Sequence, residues 1–235
     1  MSAHPKRPVI GITTPNKRFH VAYFFIKFSV WLCGGKALPL RTLEGVESKK
    51  VDGLVLGGGT DIFPGLFQSD PKQHYFYDHQ RDEMEIAWLR KAEREKIPVF
   101  AICRGAQLVN VINKGTLHLD ASVAYDNFVY PEGLLHKIFY RKLIRIKQNS
   151  QFYKLVSTDR LCVNSMHMQS IDKVGDNLEI SAQEDNGVVQ AIERPTQPFY
   201  LGVQFHPEFL IYRSSMRNLF KQLVKVASRP TQFSG

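Results

Sequence analysis

The stretch PVFAICRGAQLVN, residues 98–110, places a cysteine between two segments of different character. The apolar run before Cys103 predicts a buried strand, and GAQLVNVI (105–112) predicts a helix. This pattern is similar to a nucleophile elbow, in which a reactive side chain stands on a tight turn between a strand and a helix. Ala101 and Gly105 are small enough for the close packing that such a turn needs. We therefore predict that Cys103 stands on a strained corner with its side chain partly exposed.

The helix that follows Cys103 favours a chemical role for this residue. The first turn of a helix presents free N–H groups and a partial positive charge, which stabilise a thiolate. The N–H of Arg104 would point at the oxyanion formed when Cys103 attacks a carbonyl group. On this segment alone, a cysteine that only packs at the end of a strand is the more common alternative.

A cysteine nucleophile needs a base, and GVQFHPEFL (202–210) supplies a candidate. A strand ends near His206, and Glu208 follows two residues later. In extended geometry these two side chains point the same way, so Glu208 would hold the imidazole in one tautomer. Cys103, His206 and Glu208 therefore form a candidate triad, although the HPE segment alone is equally compatible with a surface turn.

A second oxyanion donor is expected from the glycine loop in LVLGGGTDIFP, residues 54–64. Glycine allows bare N–H groups to approach a ligand closely. The spacing matches neither a dinucleotide fingerprint nor a P-loop, and an ordinary tight turn remains the alternative. We predict that Gly58 or Gly59 provides the donor.

The order of predicted elements indicates an α/β protein. Strands and helices alternate in the first half of the chain, which predicts a mostly parallel sheet covered by helices on both faces. The second half contains closely spaced strands, followed by a final helix. We expect a single domain over residues 1–235. The predicted strands are 7–13, 37–40, 51–56, 97–102, 142–148, 161–165, 178–183, 188–193 and 199–205; the predicted helices are 20–35, 42–50 (with Thr42 as N-cap), 78–96, 105–112 and 213–228.

Composition limits the partners that the chain would have. Of its 235 residues, 43% are hydrophobic, and the formal net charge is +9. The basic stretch 136–148 alternates its charges with Ile138, Leu143, Ile144 and Ile146, which favours a half-buried strand over a nucleic-acid surface. We expect neither a nucleic-acid nor a membrane partner. The N-terminus lacks the apolar core of a signal peptide, and the three cysteines suggest no disulfide framework, so we expect a cytoplasmic protein.

These segments together resemble the class I glutamine amidotransferase-like superfamily. Within it, the chain is most similar to the peptidase C26 branch of free-standing γ-glutamyl hydrolases, which includes γ-glutamyl-γ-aminobutyrate hydrolase. The resemblance covers nearly the whole chain and is specific as a set. It rests on PVIGI, CGGKALPL, VDGLVLGGGTDIFP, RDEMEIAWLRKA, PVFAICRGAQLVNVINKGTLHLD, VNSMHMQSI and GVQFHPE.

The resemblance implies a flavodoxin-like, three-layer α/β/α sandwich and a hydrolase of small γ-glutamyl amides. Cys103 would be the nucleophile, His206 the base and Glu208 its orienting acid. Gln107 would bind the glutamyl moiety. Main-chain groups of Ser165, Met166, His167 and Met168 would hold its α-amino and α-carboxylate ends; a direct role of the His167 ring is not assigned.

The resemblance also implies which other molecules the reaction needs. A γ-glutamyl thioester would form on the cysteine, with neither a metal nor an organic cofactor. A homodimer is compatible with this reading. The alternative is a glutaminase subunit that delivers ammonia to a partner synthetase.

Several positions depart from the family pattern. Ala101 and Lys114 stand where the branch usually has glycine, and His118-Leu119 replaces Tyr-Gln. Met168 replaces a histidine. Leu119 and Met168 make the expected neighbourhood of the site less polar, so these departures leave the identity of the leaving amine open.

Overall fold

A computed structural model describes residues 7–16, 20–129 and 140–229, and within them one large sheet organises the chain. Its nine strands follow the order β2-β1-β3-β4-β11-β10-β9-β6-β7, and β5 and β8 form a separate pair. The strands are β1 (Val9–Thr13), β2 (Lys36–Leu40), β3 (Gly53–Leu56), β4 (Val99–Ile102), β5 (Leu117–His118), β6 (Arg141–Ile146), β7 (Arg160–Asn164), β8 (Ser170–Ile171), β9 (Glu179–Gln183), β10 (Val189–Glu193) and β11 (Tyr200–Val203).

The helices cover both faces of this sheet. Alternate residues of the central strands point to opposite faces: Phe100 and Ile102 join one apolar cluster, and Val99 and Ala101 join the other. The helices are α1 (Val21–Leu32), α2 (His79–Arg94), α3 (Arg104–Ile112), α4 (Ala121–Ala124), α5 (Gln151–Val156) and α6 (Ser214–Ala227), with 3₁₀ turns at Pro64–Phe67 and Pro207–Leu210.

The sheet has a parallel half and an antiparallel half. Strands β2, β1, β3, β4 and β11 pair in parallel, and the pairings from β11 through β10, β9 and β6 to β7 are antiparallel. α1 and α6 contribute to the apolar cluster on one face, whereas α2 and α3 contribute to that on the other. This confirms the predicted α/β sandwich, including the extra antiparallel strands of the C-terminal half.

The parallel pairing brings three predicted segments to one edge of the sheet. β3, β4 and β11 lie side by side, and each ends where a candidate site segment begins. Gly57 follows β3, Cys103 follows β4, and the His206 segment follows β11. The carboxyl ends of parallel strands share an edge, so residues far apart in sequence meet there.

One predicted element is wrong. Residues 42–50 form turns rather than a short helix, and Thr42 does not cap a helix. Gly45 adopts a positive φ of 75°, a conformation that interrupts a right-handed helix. By contrast, the helix predicted over 78–96 is present, and Asp78 caps it: its carboxylate accepts a hydrogen bond from the Arg81 N–H at 3.2 Å.

The basic stretch 136–148 contributes the strand β6, with a different alternation from the predicted one. Leu143 is exposed and Lys142 is buried, because the Lys142 ammonium pairs with Glu184 at 3.1 Å. Ile144 and Ile146 are buried as predicted. Ile138 lies outside the described residues.

Lys114, where the family pattern has glycine, adopts a left-handed backbone with φ of 68°. An L-residue pays a steric cost in this region that glycine does not. We expect Lys114→Gly to raise the free energy of unfolding by up to about 1 kcal/mol in urea denaturation. Lys154→Gly, in the exposed part of α5, is the control and should lower it. Equal losses of unfolding free energy in Lys114→Gly and Lys154→Gly would contradict this explanation.

Candidate active site

Cys103 stands on a strained corner, as the elbow pattern predicts. Its φ of 51° and ψ of −106° belong to a region that non-glycine residues rarely adopt. The corner is held by the Cys103 N–H, which donates to the Val203 carbonyl at 2.7 Å. Gly105 has no room for a side chain, since a methyl group there would come within 2.5 Å of the Leu56 carbonyl oxygen.

The exposure predicted for Cys103 is wrong. Its side chain is only 6% exposed, and residues of the segment that follows β11 lie against it. Gln204 donates to its sulfur at 3.6 Å, and the His206 ring lies beside it. Of the other two cysteines, Cys33 is half-buried and Cys162 is exposed.

His206 and Glu208 lie together beside the cysteine. The Nδ1 atom of His206 is 2.7 Å from Oε1 of Glu208, whose side chain is fully buried. The segment is not extended as predicted, because a 3₁₀ turn begins at Pro207, yet the turn still directs the carboxylate at the ring. Burial works against a charged imidazole, but Glu208 and Cys103 outweigh it and raise the pKa of His206 to about 10.

Asn164 fixes the backbone of His206, a role that the sequence did not reveal. The amide of Asn164 donates to the His206 carbonyl at 3.0 Å and accepts from the His206 N–H at 2.8 Å. This double contact joins the end of β7 to the segment after β11. The orientation of the imidazole thus depends on its own backbone as well as on Glu208.

The glycine loop lies against the same imidazole. A methyl group on Gly58 would come within 2.6 Å of Cε1 of His206, so only glycine fits there. Gly59 is exposed at the surface of the loop. Arg104 opens α3, and N–H groups in the first turn of a helix lack intrahelical acceptors. The structure therefore brings all three predicted oxyanion donors to the edge that carries Cys103.

Gln107 lies one helical turn beyond Cys103 and is buried. Its amide nitrogen donates to the Gln169 carbonyl at 2.8 Å and to Oε1 of Gln204 at 3.3 Å. Since Gln204 also contacts the Cys103 sulfur, a chain of hydrogen bonds connects Gln107 to the candidate nucleophile. Gln204 was missed in the sequence, although its position two residues before His206 was a usable signal.

The segment Ser165–Met168 follows β7 at the same edge. Ser165 and His167 are buried, and Met166 and Met168 are partly exposed. Nδ1 of His167 lies 3.0 Å from the Gln169 carbonyl oxygen, which can only accept a hydrogen bond, so Nδ1 carries a proton. Burial, together with the charge of Lys142, lowers the pKa of His167 to about 3, and its ring is neutral.

Comparisons with known proteins show the family of this chain. The family model of Peptidase C26 matches residues 37–208. The chain belongs to the Peptidase C26 family. A protein of Mycobacterium tuberculosis whose name assigns it to the glutamine amidotransferases is 32% identical to it, over 94% of this chain and 75% of the relative. The gamma-glutamyl-gamma-aminobutyrate hydrolase of Escherichia coli K12 is 29% identical, over 68% of this chain and 65% of the relative.

Solved structures agree on the fold. A glutamine amidotransferase from Thermotoga maritima superposes with a TM-score of 0.63 at 12% identity, covering 96% of this chain and all of the other. The glutaminase domain of Trypanosoma brucei CTPS, solved with bound acivicin, gives 0.66 at 16% identity and covers 94% of each chain. Membership of this hydrolase and amidotransferase family supports enzymatic activity for the Peptidase C26 chain.

A buried ionic cluster supports the glycine loop and the residue after the cysteine. Glu85 of α2 accepts hydrogen bonds from Thr13 at 2.7 Å and from Arg81 at 2.9 Å, and it pairs with Arg104. Arg104 also pairs with Asp82. Burial alone would raise the pKa of Glu85, but Arg104 and Arg81 outweigh it and hold that pKa below its usual value.

The cluster reaches the candidate oxyanion loop directly. The Nη2 atom of Arg81 donates hydrogen bonds to the carbonyl oxygens of Gly57 and Gly58 at 3.1 and 2.9 Å. Thr13 accepts from the Gly57 N–H at 3.1 Å. Glu85 therefore connects the loop that carries Gly58 with the arginine that follows Cys103. Among the described residues, no group of three His, Cys, Asp or Glu side chains is placed to hold a metal ion.

We expect Glu85→Ala to lower the free energy of unfolding by about 3–5 kcal/mol in urea denaturation, because two buried guanidinium groups lose their shared carboxylate. Glu85→Gln keeps a hydrogen-bond acceptor and should lower the free energy of unfolding by less. Glu83→Ala, at an exposed position of the same helix, is the matched control and should change stability by about 0.5 kcal/mol or less. A loss in Glu85→Ala no larger than that of the control would contradict this role of the cluster.

Proposed function

We propose that the protein hydrolyses the γ-amide bond of small γ-glutamyl amides through a γ-glutamyl thioester on Cys103. One observation carries the proposal: the cysteine on a strained corner, beside an imidazole that a buried carboxylate orients. This is the arrangement that nucleophilic acyl transfer requires. The 29% sequence identity to the gamma-glutamyl-gamma-aminobutyrate hydrolase of Escherichia coli K12 supports the choice of substrate class.

The proposed first half-reaction forms the thioester. His206 takes the thiol proton, and the Cys103 sulfur attacks the γ-carbonyl carbon of the substrate. The N–H groups of Gly58 and Arg104, with Gly59 as an additional donor, stabilise the tetrahedral oxyanion. The C–N bond then breaks, and the imidazolium returns its proton to the leaving amine.

The second half-reaction releases glutamate. Water attacks the thioester carbonyl while His206 accepts a proton from it, the C–S bond breaks, and the imidazolium returns the proton to the Cys103 sulfur. Glu208 keeps the proton on Nδ1, so Nε2 is the nitrogen that exchanges protons with substrate. In this proposal Gln107 and main-chain groups of residues 165–168 hold the glutamyl moiety.

The second candidate function is a glutaminase that delivers ammonia to a partner synthetase. It is favoured by the structural likeness to the glutaminase domain of Trypanosoma brucei CTPS and by relatives named as glutamine amidotransferases. The two functions share the proposed Cys103 chemistry and differ in the amine that leaves.

We expect the purified protein to release glutamate from γ-glutamyl-γ-aminobutyrate or a γ-glutamyl peptide faster than from glutamine, without ATP. Cys103→Ala should reduce this rate by at least about 1,000-fold, and His206→Ala should cost a similar factor, since the residues act as one unit. Cys162→Ala, at an exposed cysteine, is the control and should retain the wild-type rate.

The same assay separates the two functions. Glutamine as the best substrate, and only after a second protein is added, would establish the glutaminase instead. Near-normal turnover by Cys103→Ala would overturn both mechanisms, because both require the cysteine as nucleophile.

A further inference from the structure

Helix α1 is apolar on both of its sides, although only one side faces the core. Tyr23, Ile26 and Val30 pack into the protein. The other side carries large apolar residues that are 43–57% exposed and recur at helical spacing. A helix that is hydrophobic all round is typical of an element buried on both sides. We call this outer side the aromatic stripe: Val21, Phe24, Phe25, Phe28, Trp31 and Leu32.

The charge of the chain is concentrated in the segments that contain α1 and α6. Residues 1–43 and 209–235 contain 12 Lys and Arg residues and no Asp or Glu. Residues 44–208 contain 19 Lys and Arg and all 22 acidic residues. The whole positive excess therefore lies in the two terminal segments. Because α1 and α6 pack together, the described cations on these two helices, among them Lys27, Arg217 and Lys221, lie on one face of the sheet.

Basic side chains flank the aromatic stripe on both sides. Phe28 and Trp31 stack with ring centroids 5.9 Å apart, and a groove lies on either side of them. Among the described residues that line these grooves there is no Asp or Glu. The cations that line them are Arg7, Lys27 and Lys36 on one side and Arg217 and Lys221 on the other.

We propose that the aromatic stripe and its flanking cations dock on the surface of an anionic lipid bilayer. Phe28, Trp31 and Leu32 would insert to the level of the headgroup boundary, while Lys27 and Lys221 contact lipid phosphates. Aromatic and leucine side chains bordered by lysine and arginine, without carboxylates, are the composition of helices that bind at this interface. This proposal replaces the expectation, drawn from the sequence, of no membrane partner.

Charge complementarity favours this occupant over a second copy of the chain. A symmetric dimer through α1 would bring two faces of the same positive sign together, and like charges at an interface are unfavourable. No helix within the described ranges has the length and apolarity needed to span a bilayer. The contact is therefore a peripheral one, in which α1 keeps its place in the fold.

The two tryptophans give a direct assay. Trp31 is 57% exposed and Trp88 is 1% exposed, so a new apolar environment at α1 changes mainly the emission of Trp31. We expect vesicles of phosphatidylglycerol and phosphatidylcholine to shift the emission to shorter wavelength and to sediment the protein. Vesicles of phosphatidylcholine alone should do neither, and added salt should weaken the binding.

Variants locate the contact. Phe28→Gln with Leu32→Gln should weaken binding to anionic vesicles at least tenfold, and Lys27→Glu with Lys221→Glu should do the same. The controls are Phe76→Gln, an aromatic residue 70% exposed elsewhere, and Arg90→Glu with Lys173→Glu, which change the net charge equally. The controls should bind like the wild type, and thermal unfolding verifies that every variant is folded.

Three outcomes would overturn the proposal. The first is no binding of the folded protein to anionic vesicles at low salt, including the case in which it dimerises through Phe28 and Leu32. The second is binding that an acidic protein supports and anionic vesicles do not. The third is an equal loss of binding in the Arg90 and Lys173 control, which would show that net charge alone attracts the protein.

Discussion

The candidate site depends on one buried carboxylate that accepts hydrogen bonds from three side chains. Glu85 holds Thr13, Arg81 and Arg104 at the same time, and these residues come from β1, α2 and the start of α3. Through Arg81 it fixes the loop that contains Gly58, and through Arg104 it fixes the residue after the cysteine. A charge buried in this way is stable only while every partner is in place, so the cluster ties the site to the fold of the sheet edge.

Patterns among residues close in sequence predicted much of the fold and the centre of the candidate site. The apolar run before Cys103 and the helical pattern after it predicted the corner, because both depend on nearby residues. The depth of Cys103 could not be predicted in this way, since Gln204 and His206 lie against it from the segment that follows β11. Lys142 is a similar case, because its burial depends on Glu184, 42 positions away.

Charged side chains are arranged differently on the two faces of the sheet. On the α2 and α3 side, arginines and carboxylates pair inside the protein beside the candidate site. On the other side, helices α1 and α6 contain Lys and Arg residues but no Asp or Glu, and large apolar side chains of α1 remain exposed. Phe25 of α1 packs on Phe209, which in turn packs on the His206 ring, so the two regions adjoin.

The thioester proposed on Cys103 is tested most directly by peptide mass spectrometry of the protein quenched in acid during turnover of a γ-glutamyl amide. We predict a γ-glutamyl adduct on the peptide that contains Cys103, which hydroxylamine removes as it removes a thioester. Cys33 and Cys162 should remain unmodified. An adduct on either of those two cysteines, or steady turnover in which Cys103 can be replaced by alanine without loss of rate, would overturn Cys103 as the nucleophile.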